Sequence, residues 1–314
     1  MSQNTPAAMS NQAFFDAVMS DDRGMQKQAA ENVNEYTRVK MREDGFLRRI
    51  LPPKPITADD LDIQVDTDKP VVIMEKEPGS PPAISVPFGT NPLGRYIKGS
   101  RYRVMFGRIM SEKFYKDVQE LMTYRMDIRQ VLSDNSIKDM LTEEDSKWIH
   151  ATNAALGGAA GATVTTTGAI QWQEVVGGIT RANVAESLKI MPSTSSRLEN
   201  HCGLINNITI KDFLKWHRDE VGGDLAENFL LNGYAEQQLF GIKFIVTIKQ
   251  DLVPTDTVFY YAEPKFLGIF MTLEDATMFM DRRAFMVEFF CYETIGAAIG
   301  NTAGCARADF VPTP

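Results

Sequence analysis

Apolar and polar positions alternate most cleanly in SRYRVMFGRI, where Tyr102, Val104 and Phe106 face one way and Arg101, Arg103 and Met105 the other. That period of two is the mark of a strand with one buried face. LFGIKFIVT repeats it, with Ile242, Phe244 and Val246 set against Lys243 and Thr247, and predicts a second half-buried strand. PVVIM and AISVPF are apolar and β-branched, and the prolines, glycine and serine of EKEPGSPPA between them read as a turn. Lys69–Arg108 is therefore expected to form a long hairpin. It holds little apolar sequence for a core of its own, and an isolated hairpin is marginal in water. Its strands are expected to be covered mainly by another copy of the chain.

Helical spacing is read from Ser111 to Leu156. SEKFYKDVQELMTYRMDIRQVL opens this region. A capping-box-like start at Thr142 and Asp145, with Glu143 and Glu144 beside it, then places acidic side chains at a positive helix end. Ile137, Leu141, Trp148, Thr152 and Ala155 recur at helical spacing and predict the buried stripe of a long helix. Ahead of the hairpin, helical composition from about Gln26 to Asp44 carries only a thin stripe of Val33, Tyr36 and Val39. Gly45 interrupts it, and Pro52, Pro53 and Pro55 forbid its continuation. This segment reads as an arm that packs on something else, or equally as a frayed, solvated helix. Gln171–Glu263 reads as α/β, with strands at LINNITI and LFGIKFIVTIK and a short strand and helix in NNITIKDFLKWHRDEV. From Lys265 onward, strands close the fold.

Composition narrows the function without naming one. The net charge of −8 argues against a dedicated nucleic-acid binder held by a basic face. Local basic density remains, from Arg38 to Lys54 and in GRYIKGSRYRVMFGR. The three cysteines, Cys202, Cys291 and Cys305, are far apart and odd in number, which suits isolated thiols in a reducing compartment. No apolar run is long enough for a membrane helix.

Reaction chemistry finds little support. The glycine-rich Gly157–Gly168 lacks the Gly-Lys-Ser/Thr ending of a phosphate loop and follows a helix rather than a strand, so a flexible connection reads better. His201 and Cys202 are adjacent and poorly placed to share a metal. His150 and His217 show no metal-ligand spacing with either. Ser195 and Ser196 sit on no nucleophile elbow. Acidic neighbours such as Glu143–Glu144 and Asp59–Asp60 read as solvated surface or helix-end charges. No enzyme activity and no cofactor is expected.

The order of segments resembles the HK97-fold major capsid protein of tailed bacteriophages. The hairpin stretches EKEPGSPPAISVPF and GSRYRVMFGRI carry the likeness. So do SEKFYKDVQEL through WIHATNAALGG for a spine helix, and LFGIKFIVT with AFMVEFFCYETIGAAIGNTAGCARADF for the last third. The resemblance implies an α+β fold with an N-terminal arm (1–55), an extended hairpin loop (56–110), a peripheral domain with the spine helix (111–160 and 269–314) and an α/β axial domain (161–268). It implies hexamers and pentamers of an icosahedral shell enclosing double-stranded DNA, with portal, scaffolding and decoration proteins as partners. The shell would assemble in the host bacterial cytoplasm and end as the virion capsid, with no membrane contact. Glu75, Lys76, Pro78, Pro81 and Pro82 become the candidate inter-subunit loop. Arg38, Lys40, Arg42, Arg48 and Arg49 become candidate inner-face or inter-subunit cations, with non-specific DNA contact. Only a short segment precedes Pro52, so a separate scaffolding protein is expected. Some members cross-link a loop lysine to a neighbour's asparagine. Glu293 is similar in place to their catalytic glutamate, but MDRRAFMVEFF offers no asparagine, and no cross-link is expected. The alternatives are an encapsulin-like nanocompartment shell, or an α/β ligand-binding enzyme using Gly157–Gly168.

Overall fold

Two long strands set the frame of one half of the molecule. In the computed structural model, which describes residues 45–76, 85, 87–89, 91, 94, 96, 99–117, 119–120, 128–157, 171–194, 196–216, 237–239, 241–283 and 285–311, β11 (Gly268–Arg283) and β12 (Met286–Ile299) pair antiparallel almost end to end. Two register shifts, on either side of Glu274, bend the pair. β1 (Lys54–Pro55) adds to β11, and β4 (Gly107–Met110) and β5 (Phe114–Asp117) add to β12, giving a five-stranded sheet. Val287, Phe289, Cys291, Glu293 and Ile295 alternate inward from β12 and are buried. They meet the long helix α2 (Ile128–Ala155), whose Ile137, Met140, Leu141 and Trp148 join the same core. The helical stripe read from sequence is borne out at Ile137, Leu141, Trp148 and Thr152, all buried.

The region ahead of that helix differs from expectation. Ser111–Asp117 is extended rather than helical: β5 pairs with Met286–Phe289, and Ser111 bonds the backbone of Cys291 in both directions. Thr142 and Asp145 do not start a helix either, because α2 runs continuously through them.

A six-stranded sheet forms the other half, in the order β6 (Trp172–Val176), β13 (Cys305–Val311), β10 (Thr257–Tyr261), β7 (Cys202–Asn206), β9 (Ile242–Thr247) and β8 (Gln237–Leu239). Every residue of β7 and β10 is buried. Phe259 and Tyr261 face the core shared with α2. Val258 and Tyr260 face a second core built with α3 (Arg181–Ser187) and the 3-10 turn Thr209–Lys215. A sheet covered on both sides needs continuous rather than alternating apolar strands. β9 shows this: Phe244 and Ile245, on opposite faces, are both buried, where one open face was expected. The closing strands also divide differently. β13 completes this second sheet, so the end of 269–314 joins the 161–268 region rather than the five-stranded sheet.

A two-stranded ribbon of β2 (Val71–Lys76) and β3 (Ser100–Met105) projects from the first sheet. PVVIM is thus paired with SRYRVM, and Glu75 and Lys76, read from sequence as part of a turn, continue the strand.

Candidate assembly surfaces and a buried ion cluster

The base of the ribbon is anchored on its own subunit. Val72, Val104 and Phe106 are buried against Met271, with Tyr102, Met74, Leu61, Ile269 and Ala298 packed around them. This corrects the expectation that another copy buries these strands: the alternating face found in the sequence lies on the subunit's own β11 and β12. Farther out the ribbon opens to solvent. Glu75 and Lys76 are exposed, and Glu75 pairs with Arg101 across the ladder at 3.0 Å. Pro78, Pro81 and Pro82 lie outside the described residues.

Among the candidate cations, Arg38, Lys40 and Arg42 also lie outside the described residues, as does the helix read at Gln26–Asp44. Arg49 is exposed. Arg48 is a correction. It sits on the short helix α1 (Phe46–Ile50), and its side chain is buried, so its charge is spent inside the subunit. Phe46, Leu47, Ile50 and Leu51 are buried in the core with α2, so this part of the arm packs on its own spine helix.

Arg48 organises the densest group of charges in the described residues. Its Nε and Nη2 donate to Glu144 at 3.1 and 2.8 Å, and Nη2 also donates to Glu293 at 2.8 Å. Asp275 stands 3.9 Å from Nη1. Burial works to lower the guanidinium pKa, but the charges and hydrogen bonds of Glu144, then Glu293 and Asp275, more than offset it and the net shift is upward. Beside this group, Asp145 accepts the backbone N–H of Leu47 at 3.0 Å and Nζ of Lys249 at 2.5 Å. Lys249 follows β9, donates to the carbonyl of Leu141 and lies over the ring of Phe46. Burial raises the Asp145 carboxyl, with Lys249 and the Leu47 amide opposing. Helix α1, the spine and both sheets therefore meet at one polar node.

The sequence reading placed Glu143 and Glu144 on the surface. Glu143 is exposed and pairs with Lys147, but Glu144 and Asp145 are fully buried. The signal was present: Glu144 and Asp145 fall between Leu141 and Trp148, on the stripe already read as core.

The outer face of the five-stranded sheet leaves an aromatic surface open. Phe290 packs on Phe279 with ring centroids 5.0 Å apart, and Tyr292 lies beside Phe290. Lys113 stands over Phe290 and Arg108 over Tyr292. Phe279, Met110 and Tyr115 on this face, and Phe285 and Met286 at its tip, are each more than 40 % exposed. This face is a candidate assembly surface.

Catalytic and metal candidates are not brought together. His201 and His150 are exposed while Cys202 is buried, and His217 lies outside the described residues. Gly157 has a positive φ of 91°, and the rest of Gly157–Gly168 is outside the described residues. Among the described residues no cluster of three His, Cys, Asp or Glu side chains is placed to hold a metal, and no helix is long and apolar enough to cross a membrane.

No family model matches this sequence, and no curated protein matches it. Solved structures do. A chain from Mycobacterium phage Adephagia superposes with a TM-score of 0.56 at 10% identity, covering 86% of this chain and 91% of that one. A chain of the mature capsid of bacteriophage PhiM1 gives 0.55 at 8% identity, with 83% and 86% covered. One from the capsid of cyanophage P-SCSP1u gives 0.55 at 11% identity, with 83% and 87% covered. The long β11–β12 pair, the spine helix packed across it, the projecting ribbon and the separate mixed sheet are thus one known architecture: the chain has the α+β, HK97-like fold of phage capsid proteins.

Proposed function

We propose that this chain is the major capsid protein of a tailed phage, a structural subunit rather than an enzyme. The carrying observation is that it shares its fold along 83% or more of its length with chains from phage capsids. Copies close into hexamers and pentamers, and these into an icosahedral shell around double-stranded DNA. Symmetric ring closure followed by further contacts is how one chain builds a closed surface. The exposed outer part of the ribbon and the aromatic face of the five-stranded sheet are the two surfaces a subunit would offer its neighbours. The 75–82 segment is the inter-subunit clamp in this reading, and Arg49 with Arg38, Lys40 and Arg42 forms a diffuse cationic contact to DNA or to a neighbour's acidic groups. With a net charge of −8 the DNA contact is non-specific and weak. Portal, scaffolding and decoration proteins are the further partners, and the shell assembles in the bacterial cytoplasm.

Negative-stain microscopy and analytical ultracentrifugation of the purified protein test this. Rings, shells or both are expected. A monomer that persists at high concentration, and in the presence of a co-expressed scaffolding protein, would sink the reading.

A further inference from the structure

The cluster at Arg48 has an odd count of charges. Glu144 on α2 and Glu293 on β12 both accept from the one guanidinium, and both side chains are 0% exposed. Asp145 is buried next to them but has its own cation, Lys249, and the Leu47 amide. Asp275, from β11, is a third exposed and keeps part of its hydration. Cys291, two residues along β12, is a buried neutral thiol. Among the described residues Arg48 is therefore the single positive charge facing two fully buried carboxylates. With both ionised, a net negative charge would stand out of water, at a cost of several kcal/mol. Oε1 of Glu293 has no hydrogen-bond donor among the described residues, while its Oε2 and Oε1 of Glu144 each lie 2.8 Å from the same Nη2 of Arg48, so the two carboxyl groups adjoin. Two carboxylates side by side repel and cannot bond each other; a carboxylic acid and a carboxylate can.

We propose that Glu144 and Glu293 share one bound proton, and that this proton fastens the seam between the spine helix and β12. Arg48 reaches both carboxylates only while they adjoin, so helix α1 is held by the same closure. When the proton leaves, the two like charges part, water enters, and α1 is released from the spine. Burial and the Glu144 charge, opposed by Arg48, push the Glu293 carboxyl up to about 9, so the seam stays loaded at neutral pH and loosens in alkali. This device belongs to the single subunit and does not depend on shell formation.

Amide hydrogen exchange of the full-length chain tests it, read on peptides covering Phe46–Leu51 and Leu141–Ile149 at a constant assembly state. The closed seam binds one more proton than the open one. Opening should therefore become about tenfold easier per pH unit between about pH 6 and about pH 8, after correction for the intrinsic exchange rate. Glu293→Gln keeps the neutral shape and should lower that slope by one proton. Glu144→Gln should do the same, and it answers the question alone if the first variant does not fold. Infrared spectra should show a neutral carboxylic-acid C=O band near neutral pH that both variants lose. Absence of that band in the unmodified protein, or an unchanged pH slope in the variants, would overturn the proposal.

Discussion

Gly300 lies directly against the ring of Tyr102: a Cβ placed on Gly300 would come within 2.7 Å of the ring's Cζ. Gly296 stands in the same relation to Val104 and Phe106, at 2.9 and 3.0 Å. Two glycines of β12 and its end thus form the floor on which the ribbon rests. Gly296→Val or Gly300→Val should lift the ribbon base and cost about 1–3 kcal/mol in urea unfolding, the usual penalty of overpacking. Gly107→Ala, where a Cβ meets nothing within 4 Å, is the control and should change little.

The outer loop should separate folding from assembly. Lys76 and Ser100 are the outermost ladder partners among the described residues of the ribbon, so a two-residue Asn-Gly turn can replace residues 77–99. Circular dichroism and unfolding of the shortened chain should match the parent, while electron micrographs should show no closed particles. Normal particles from this variant would mean the loop is not an inter-subunit clamp.

Arg48→Ala should be among the most damaging single changes in the described residues. It leaves Glu144 and Glu293 buried without their cation, a loss of about 3–5 kcal/mol. Replacing Arg48, Glu144 and Glu293 together by Met, Leu and Leu should recover most of that stability. Chemical unfolding of the single and triple variants at one pH measures both effects.

The three thiols should be silent until the protein unfolds. Burial pushes Cys202 and Cys305 up to about 12 and Cys291 to about 11, and all three are free. A thiol reagent at mildly alkaline pH should label none in the native chain and all three in urea. Rapid labelling of Cys291 in alkali alone would point to opening of the seam beside it.

Arg307 ties the spine to the second sheet. Its guanidinium lies 4.1 Å from the Trp172 ring centroid and 5.2 Å from that of Phe259, bonds Asp309 at 2.9 Å and reaches Asn153 of α2 at 3.3 Å. Arg307→Lys keeps the charge but loses the planar stack and the fork. About 1–2 kcal/mol of stability should go with it, measurable by thermal unfolding.

Local periodicity carried part of this fold and pairing carried the rest. The faces of SRYRVM and the stripe of α2 were legible because a strand or helix with one covered side writes its period into the residues. Which strand SRYRVM pairs with was not, since AISVPF and PVVIM are both apolar with β-branched residues, and the ribbon is seated by packing on Met271 and Gly296. Phe114–Asp117 read as helix because four residues are too few to show a period, and its strand form is imposed by Met286–Phe289. Glu144 was misassigned by its chemistry: an acidic residue on a core stripe was read as solvated, when the stripe itself placed it beside Arg48. That partner lies 96 residues away in sequence, and nothing local joins them.

The position of β13 has a consequence for how the chain is made. β13 emerges from the ribosome after β6, β7, β9 and β10, yet it inserts between β6 and β10, pairing Trp172 with Arg307. Through the synthesis of everything between those residues, at about 5–20 residues per second, β6 has no strand partner among the described residues and the flank of β10 is open. The nascent subunit thus spends seconds with two bare strand edges, the kind of surface on which other chains template. Only delivery of the strand ending at Val311 removes them, so closure of this sheet waits on the last of its strands to be made.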